Sequence, residues 1–402
     1  MNRAALILAG VVIAAACVVA GLALWDTTVP SNLPLDTKAA VGTFDQPARE
    51  EAESFEALLR WLFIGSQVVL VATLVVYLRK GHVFLKESAA GPVGTGLLMG
   101  MMGISIVWLV SVPFGLVEIW WTRKHDAVDV TYVDYLFGSF FGLGGEALSL
   151  CVTLAVVMGL ARLLKSTWWL PGVAALAGVV ALLAWLSPYL IPDLRQPSPE
   201  VKADARPLAK KQGVKGVPVR IENVREYTEQ PNAYAMGIGG TRRVVLWDTL
   251  AEDFERPEVR SVLSHEFGHL QHKHIQKSIG WFAVTALPIA FLVMLLTRRR
   301  GGLGDPRAVP LALLLVIVFQ LVESPITSGS SRRYEAEADW AALEATRDAD
   351  SMVALHHDFT LQALSDPDPP GWYHWLFDSH PSGAERVAMA KAWQWYDIRR
   401  EK

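Results

Sequence analysis

Residues 265–269 read His-Glu-Phe-Gly-His, and an apolar hairpin separates them from Ser-Arg-Arg-Tyr-Glu-Ala-Glu-Ala-Asp at 331–339. On a helix, positions i and i+4 stand one turn apart on one face, so His265 and His269 are spaced to grip a single metal ion. Glu266 then points beside that ion, where an attacking water would be activated. A catalytic zinc takes three protein ligands and leaves a fourth position open. Glu335 is the candidate third ligand. The preceding Ser-Val-Leu-Ser, with Phe267 and Leu270, gives the helix an apolar back and a polar front. Gly268 costs such a helix about 1 kcal/mol relative to Ala, so its presence implies a close approach at that point. Glu335 and Asp339 repeat the i, i+4 spacing. The constellation implies metal-assisted peptide hydrolysis.

Composition sets this motif in a membrane. Of 402 residues 52% are hydrophobic, and the mean hydropathy of +0.28 is high for a soluble chain. A net charge of −3 gives no case for nucleic-acid binding. Cys17 and Cys151, the only cysteines, lie in apolar runs and read as packing residues. Seven apolar segments, near 4–24, 61–78, 96–121, 136–164, 168–191, 278–297 and 308–322, reach or approach the length that crosses a bilayer. The first follows Arg3 as a signal peptide would. Its apolar stretch runs past Cys17 to Leu24 with no small-residue cleavage site, so a retained helix is expected. Trp120, Trp121, Trp168 and Trp169 read as interfacial anchors, and Glu118 as an interfacial acid. Glu146, among Gly142, Gly144 and Gly145, faces a water-filled interior or marks a misplaced span boundary.

The expected fold is mainly α: a multi-pass helical bundle of about seven spans with a zincin-like α+β catalytic region carrying a small β-hairpin. Residues 1–191 form an N-terminal membrane domain of five spans, and 192–277 a catalytic region with hairpin and metal-binding helix. Residues 278–322 form a two-span membrane hairpin, and 323–402 a C-terminal region with the third ligand. The hairpin returns the chain to its starting side, so both halves of the metal site face one compartment. Pro192 to Pro207 reads as a linker. Val217 to Ile221, Ala233 to Ile238 and Arg242 to Trp247 read as strands, the last two joined at Gly239-Gly240. The free edge of that hairpin either receives an extended peptide as an added strand or only packs on the helix. Nine residues separate His269 from the sixth span, about 14 Å if the helix continues, and thirteen separate the seventh span from Glu335. The metal therefore sits close to the bilayer surface. His272, at i+7 on the ligand face, either supports the ligands from behind or is solvated surface, and His356, His357 and His374 read as ordinary polar residues.

The residues resemble a family. His265-Glu-Phe-Gly-His269, His274 five residues on, and Ser331-Arg332-x-x-Glu335-x-x-Ala338-Asp339 match the type I CAAX prenyl endopeptidases. These are integral-membrane zinc metalloproteases of the a-factor-converting, gluzincin type. Asn232-Ala233-Tyr234 followed by Val244 to Leu250, and His380-Pro381 followed by Glu385-Arg386, match as well. The resemblance implies one zinc held by His265, His269 and Glu335, with Glu266 as general base. It implies that Asp339 and His274 support the ligands, that His380 and Arg386 steady the oxyanion, and that Asn232, Ala233 and Tyr234 lie at the substrate strand. It also implies a large water-filled chamber within the spans. One departure stands out: the family carries Asn between the proline and the Ser-Arg pair, whereas Pro325 to Ser330 has none, which leaves the geometry of that loop open.

The partners implied are a peptide or protein substrate at the membrane and the lipid bilayer itself. Loop charges favour a catalytic side outside the cytoplasm, with ten Lys and Arg on the N-terminal side against five in the short loops opposite. Residues flanking the spans raise the second figure to twelve and erase the bias. The resemblance implies a multi-pass protein of the cell membrane with its site facing the cytosol. Two readings share every catalytic residue, a CAAX-type endopeptidase and a quality-control protease for membrane proteins. A non-catalytic scaffold or transporter is the third, and the intact Glu266 argues against it.

Overall fold

Helices that are apolar on every face, with no polar stripe, dominate the chain, and their backbone hydrogen bonds close internally as a bilayer requires. The computed structural model describes residues 3–84, 87–226 and 228–400. In chain order it comprises α1 (Arg3–Trp25), α2 (Thr37–Val41), α3 (Gln46–Lys80), α4 (Gly91–Lys124), α5 (Tyr132–Leu164), α6 (Trp169–Leu190) and α7 (Pro199–Lys211). Then come β1 (Val219–Glu222), β2 (Ala233–Met236), β3 (Arg243–Trp247), α8 (Asp248–Asp253), α9 (Arg256–Gln271) and α10 (His274–Thr297). The chain ends with α11 (Val309–Thr346), α12 (Ala349–Ala363), α13 (Gly371–Leu376) and α14 (Gly383–Arg400). Seven helices, α1, α3, α4, α5, α6, α10 and α11, are long and apolar enough to cross a membrane.

Local capping explains where the elements depart from expectation. Residues 46–60, expected as loop, start α3: Asp45 accepts the Ala48 N–H at 3.2 Å and Pro47 occupies the first turn. Half of the expected linker is α7, opened by Ser198 accepting the Val201 N–H at 3.2 Å, with Pro199 beside it. The helix carrying His265 and His269 does not run on into the sixth span. Lys273 at φ 57° breaks it between α9 and α10.

The largest difference is α11. The expected loop between Pro325 and Ser330 is helix, and one 38-residue element carries the seventh span directly into Glu335 and Asp339. Pro325 removes the N–H that Leu321 would receive. Ser324 Oγ donates to that carbonyl instead, at 3.1 Å. The departure from the family pattern therefore falls within helix.

The sheet has the order β1-β3-β2. The expected β2–β3 hairpin is present, with Ala233 opposite Leu246. Strand β1 joins on the other side, parallel to β3. Val244, Leu246, Leu263 and Phe267 are fully buried where the sheet packs on α9. Helix α9 in turn crosses α11 so closely that a Cβ on Gly268 would lie 3.1 Å from both Cα and O of Ala338. That is the close approach implied by a glycine in mid-helix.

Helix α5 is built differently. From Tyr132 to Ala147 only the seam of Tyr135, Ser139, Leu143 and Ala147 is partly covered, and the rest is exposed. Cβ atoms at Gly138, Gly142, Gly144 and Gly145 would meet nothing within 4 Å. Glu146 lies on this open side in mid-helix, within a helix longer than a bilayer requires. A carboxylate there is tolerable where it meets water rather than lipid.

Candidate metal centre

Three ligand side chains converge where α9 crosses α11. His265 Nε2 lies 2.9 Å from His269 Nε2, and the Glu335 oxygens lie 3.3 Å and 3.4 Å from these two nitrogens. A tetrahedral ion with ligand bonds of 2.0–2.1 Å holds its ligand atoms about 3.3 Å apart, so the set fits one ion of that size. The Glu266 carboxylate is near enough that its ligand atom and those of the two histidines lie within 4.8 Å of one another. Burial alone would lower His265, but hydrogen bonds to Asp339 and Glu335 outweigh it and push the imidazole up to about 10. Burial pushes His269 down to about 3. The carboxylates thus call for positive charge at the point where the donors meet.

The other nitrogen of each ring is held, and this fixes which nitrogen faces the ion. His265 Nδ1 lies 2.8 Å from Asp339 Oδ1, which keeps a proton on Nδ1 and makes Nε2 the nitrogen from which an ion would displace one. Asp339 is steadied by Arg386, whose Nε and Nη2 donate to it at 2.7 Å and 3.0 Å, with a further bond from Nη2 to Glu335 at 3.3 Å. On the opposite side, His269 Nδ1 meets His274 Nδ1 at 2.9 Å, and His274 Nε2 meets Glu337 Oε2 at 2.9 Å. A carboxylate partner places the His274 proton on Nε2. His274 Nδ1 must then accept, so His269 donates from Nδ1 and presents a bare Nε2.

Glu337 carries no motif signal, yet it is the hub of this second relay. The Thr28 N–H donates to it at 2.6 Å from the end of α1, and Lys277 lies 3.2 Å away. His272 Nδ1 lies 3.3 Å from the same carboxylate, which favours the supporting one of its two readings over the solvated one. His374 is no isolated polar residue either, lying between Asp378 and Glu385. His357 stands beside Thr43 at 3.0 Å.

Glu266 is buried beside the donors, and burial pushes its carboxyl up to about 7. A cavity of about 190 Å³ opens next to it, lined by Asn232, Ala233, His265, Glu266, His356 and His380 among others. His356 is 4% exposed, with no partner for its Nε2 among the described residues. Its sequence spacing concealed it, because only helix α12 brings it to the cavity wall. His380 Nε2 lies 3.6 Å from Glu335 on a side chain still 63% exposed, free to reach a substrate. Only the start of strand β2 lines the cavity, at Ala233 with Asn232 before it, whereas the Tyr234 hydroxyl donates to Glu222 at 2.6 Å. Trp247 N donates to Asn232 O at 2.9 Å. By the antiparallel alternation, Ala233 and Ala235 therefore turn their amides away from β3.

Comparison with known proteins adds to this geometry. The profile of peptidase family M48 matches residues 195–394, which contain every residue of the centre except Thr28. The chain belongs to peptidase family M48. Similar proteins include the uncharacterized metalloprotease YhfN of Bacillus subtilis, 27% identical over 62% of either chain. A CAAX prenyl protease 1 homolog of Dictyostelium discoideum is 30% identical over 39% of this chain and 38% of its own. A protease HtpX homolog of Aeropyrum pernix is 32% identical over 42% and 56%. The chain spans less than two thirds of the length of each of these curated relatives. The crystal structure of S. mikatae Ste24p superposes with a TM-score of 0.70 at 17% identity, covering 96% of this chain and 98% of that one. The M48 fold here is thus that of Ste24p, and its seven spanning helices make the chain an integral multi-pass membrane protein. Membership of a metalloprotease family implies a metal.

Proposed function

We propose that this M48 member is a zinc-dependent endopeptidase cutting membrane-associated polypeptides, prenylated C-a-a-X substrates among them. The observation that carries the reading is the convergence of His265, His269 and Glu335 within 2.9–3.4 Å, with Glu266 beside them. Two imidazoles and one carboxylate suit zinc, and three donors leave a catalytic position open. Bound there, zinc supplies Lewis acidity to water and to the scissile carbonyl.

The chain's own groups do the rest. An extended substrate pairs with the outward edge of β2 once its carbonyl replaces Asn232 Oδ1, which accepts the Ala233 N–H at 2.8 Å, and this lays the scissile bond along the cavity. Glu266, held near pH 7 by burial, takes the proton of the attacking water and passes it to the leaving amine. His380 is free to donate to the oxyanion. Arg386, expected to share that task, is tied to Asp339 and Glu335 and serves to position them. The catalytic face is assigned to the cytoplasmic side, in keeping with the family resemblance. A cysteine placed near Lys402 and labelled from outside intact cells would overturn that assignment.

The test uses detergent-purified protein and its Glu266→Gln variant, with bound zinc quantified. Cleavage is followed on a farnesylated C-a-a-X peptide beside an unfolded membrane protein. One zinc in both proteins with cleavage by the wild type alone is the expected result, and the preferred substrate identifies the class. Absence of zinc, or equal cleavage by the variant, overturns the mechanism.

A further inference from the structure

The face opposite the metal centre collects the ends of α3, α5 and α10 and the starts of α4, α6 and α11. Among the described residues it carries nine Lys and Arg against two carboxylates, Glu87 and Asp305; Lys86 lies outside the described residues. Two cavities open there on either side of the Arg298–Gly302 turn, of about 640 Å³ and 720 Å³, and both touch Gly301. The first is rimmed by Arg162, Lys165 and Arg298, the second by Arg79, Arg299 and Arg300. Asp305, the only acid lining either, is already paired with Arg307. Among the described residues no hydrogen bond or ion pair engages the side chains of Arg79, Lys165, Arg298, Arg299 or Arg300.

We propose that these adjoining cavities bind the phosphate headgroup of an anionic phospholipid. Five cations with no counter-ion among the described residues converge where spanning helices end, which is the depth of lipid phosphates. Below the first rim lie Trp168, Met294 and Leu303, all buried and part of the apolar cluster between α1, α5 and α10. A free phosphate has no use for that floor, whereas the glycerol ester and acyl stems of a lipid do. Arginine suits the rim, since its planar fork pairs two phosphate oxygens at once. The site is independent of the peptidase reading, because no residue of the metal centre lines it.

The experiment is retention of dioleoyl phosphatidylglycerol against dioleoyl phosphatidylcholine on the full-length protein, counted by native mass spectrometry. The wild type is compared with Lys165→Gln/Arg298→Gln/Arg300→Gln and with a catalytic-face control, Arg195→Gln/Arg220→Gln/Arg225→Gln. The expected result is preferential retention of phosphatidylglycerol that persists in excess inorganic phosphate. It weakens about fivefold per cation removed in the first variant and is unchanged in the control. Thermal melting reports folding, and if the triple variant fails to fold, Lys165→Gln/Arg298→Gln is read in its place. Equal retention of the two lipids, or equal weakening by both variants, overturns the proposal in favour of diffuse surface charge. Displacement of the lipid by inorganic phosphate overturns it in favour of a free-phosphate site.

Discussion

The crossing of α9 over α11 and the catalytic-side half of α5 both use glycine, to opposite ends. At the crossing, Gly268 brings two backbones together until a single added Cβ would press on Ala338 from 3.1 Å. Along the catalytic-side half of α5, the four glycines Gly138, Gly142, Gly144 and Gly145 border open space. The crossing needs contact because ligand atoms must be held to tenths of an ångström by rings and carboxylates that are themselves held. The open half of α5 needs only to stand apart from its neighbours, with Glu146 on its exposed side. One region is therefore specified atom by atom, and the other by what it leaves empty.

The widest separation between the two is expected from matched carboxylates. Glu266→Gln should lower kcat/KM about 1000-fold while bound metal stays the same, because a proton acceptor is lost and no ligand is. Glu146→Gln should leave kcat/KM unchanged. A comparable loss from Glu146→Gln would break the comparison by making the open side part of the chemistry. Next comes the relay behind His269. Glu337→Gln keeps the shape but weakens the hold on the His274 proton, so metal affinity should fall about 10- to 100-fold. Metal titration by competition with a chelator measures it, and an unchanged affinity would reduce Glu337 to an anchor for Thr28.

Matched glycines give a smaller effect of opposite sign. Gly268→Ala should destabilise by about 1–3 kcal/mol through overpacking against backbone that cannot yield. Gly144→Ala should stabilise its helix by up to about 1 kcal/mol, since the new methyl meets nothing. Melting temperatures of the two variants in one detergent decide this. A destabilised Gly144→Ala would mean that α5 has a partner on its open side.

How much of this was legible in the sequence follows the same division. His265 and His269 could be read because helical periodicity puts them on one face, Glu335 because it repeats that spacing with Asp339, and Glu266 because it sits beside the first histidine. Gly268 announced its close approach by its cost. Glu337 could not, since its partners arrive from α1, α10 and the turn before it, as far as 309 residues away at Thr28. His356 was passed over because no metal spacing surrounds it, and only the packing of α12 turns it toward the cavity. The continuity of α11 was hidden by Pro325, a reliable helix stop except where a neighbour such as Ser324 satisfies the orphaned carbonyl. The spans showed in hydropathy. Their separation did not, because apolar residues facing lipid and those facing a neighbour look alike.

The smallest expected effect concerns His374, which clasps the catalytic side alone. Its Nδ1 lies 2.9 Å from Asp378 and its Nε2 3.1 Å from Glu385, while Arg332 of α11 donates to its backbone carbonyl at 2.6 Å. The Asp378 bond, then the Glu385 bond, outweigh burial and push the imidazole up to about 9. A folded value raised above the unfolded one, near 6.5, contributes stability in full below pH 6.5 and loses it as pH rises through about 9. Melting temperature should therefore decline by about 2 °C between pH 6.5 and 9.5, and His374→Gln should flatten that slope. Because the clasp joins α11 to the loop before α14, the loss should appear as earlier exposure of the catalytic region with the spans intact. Hydrogen exchange resolved by region would detect that order, and simultaneous loosening of α5 would show that the two parts of the molecule melt as one.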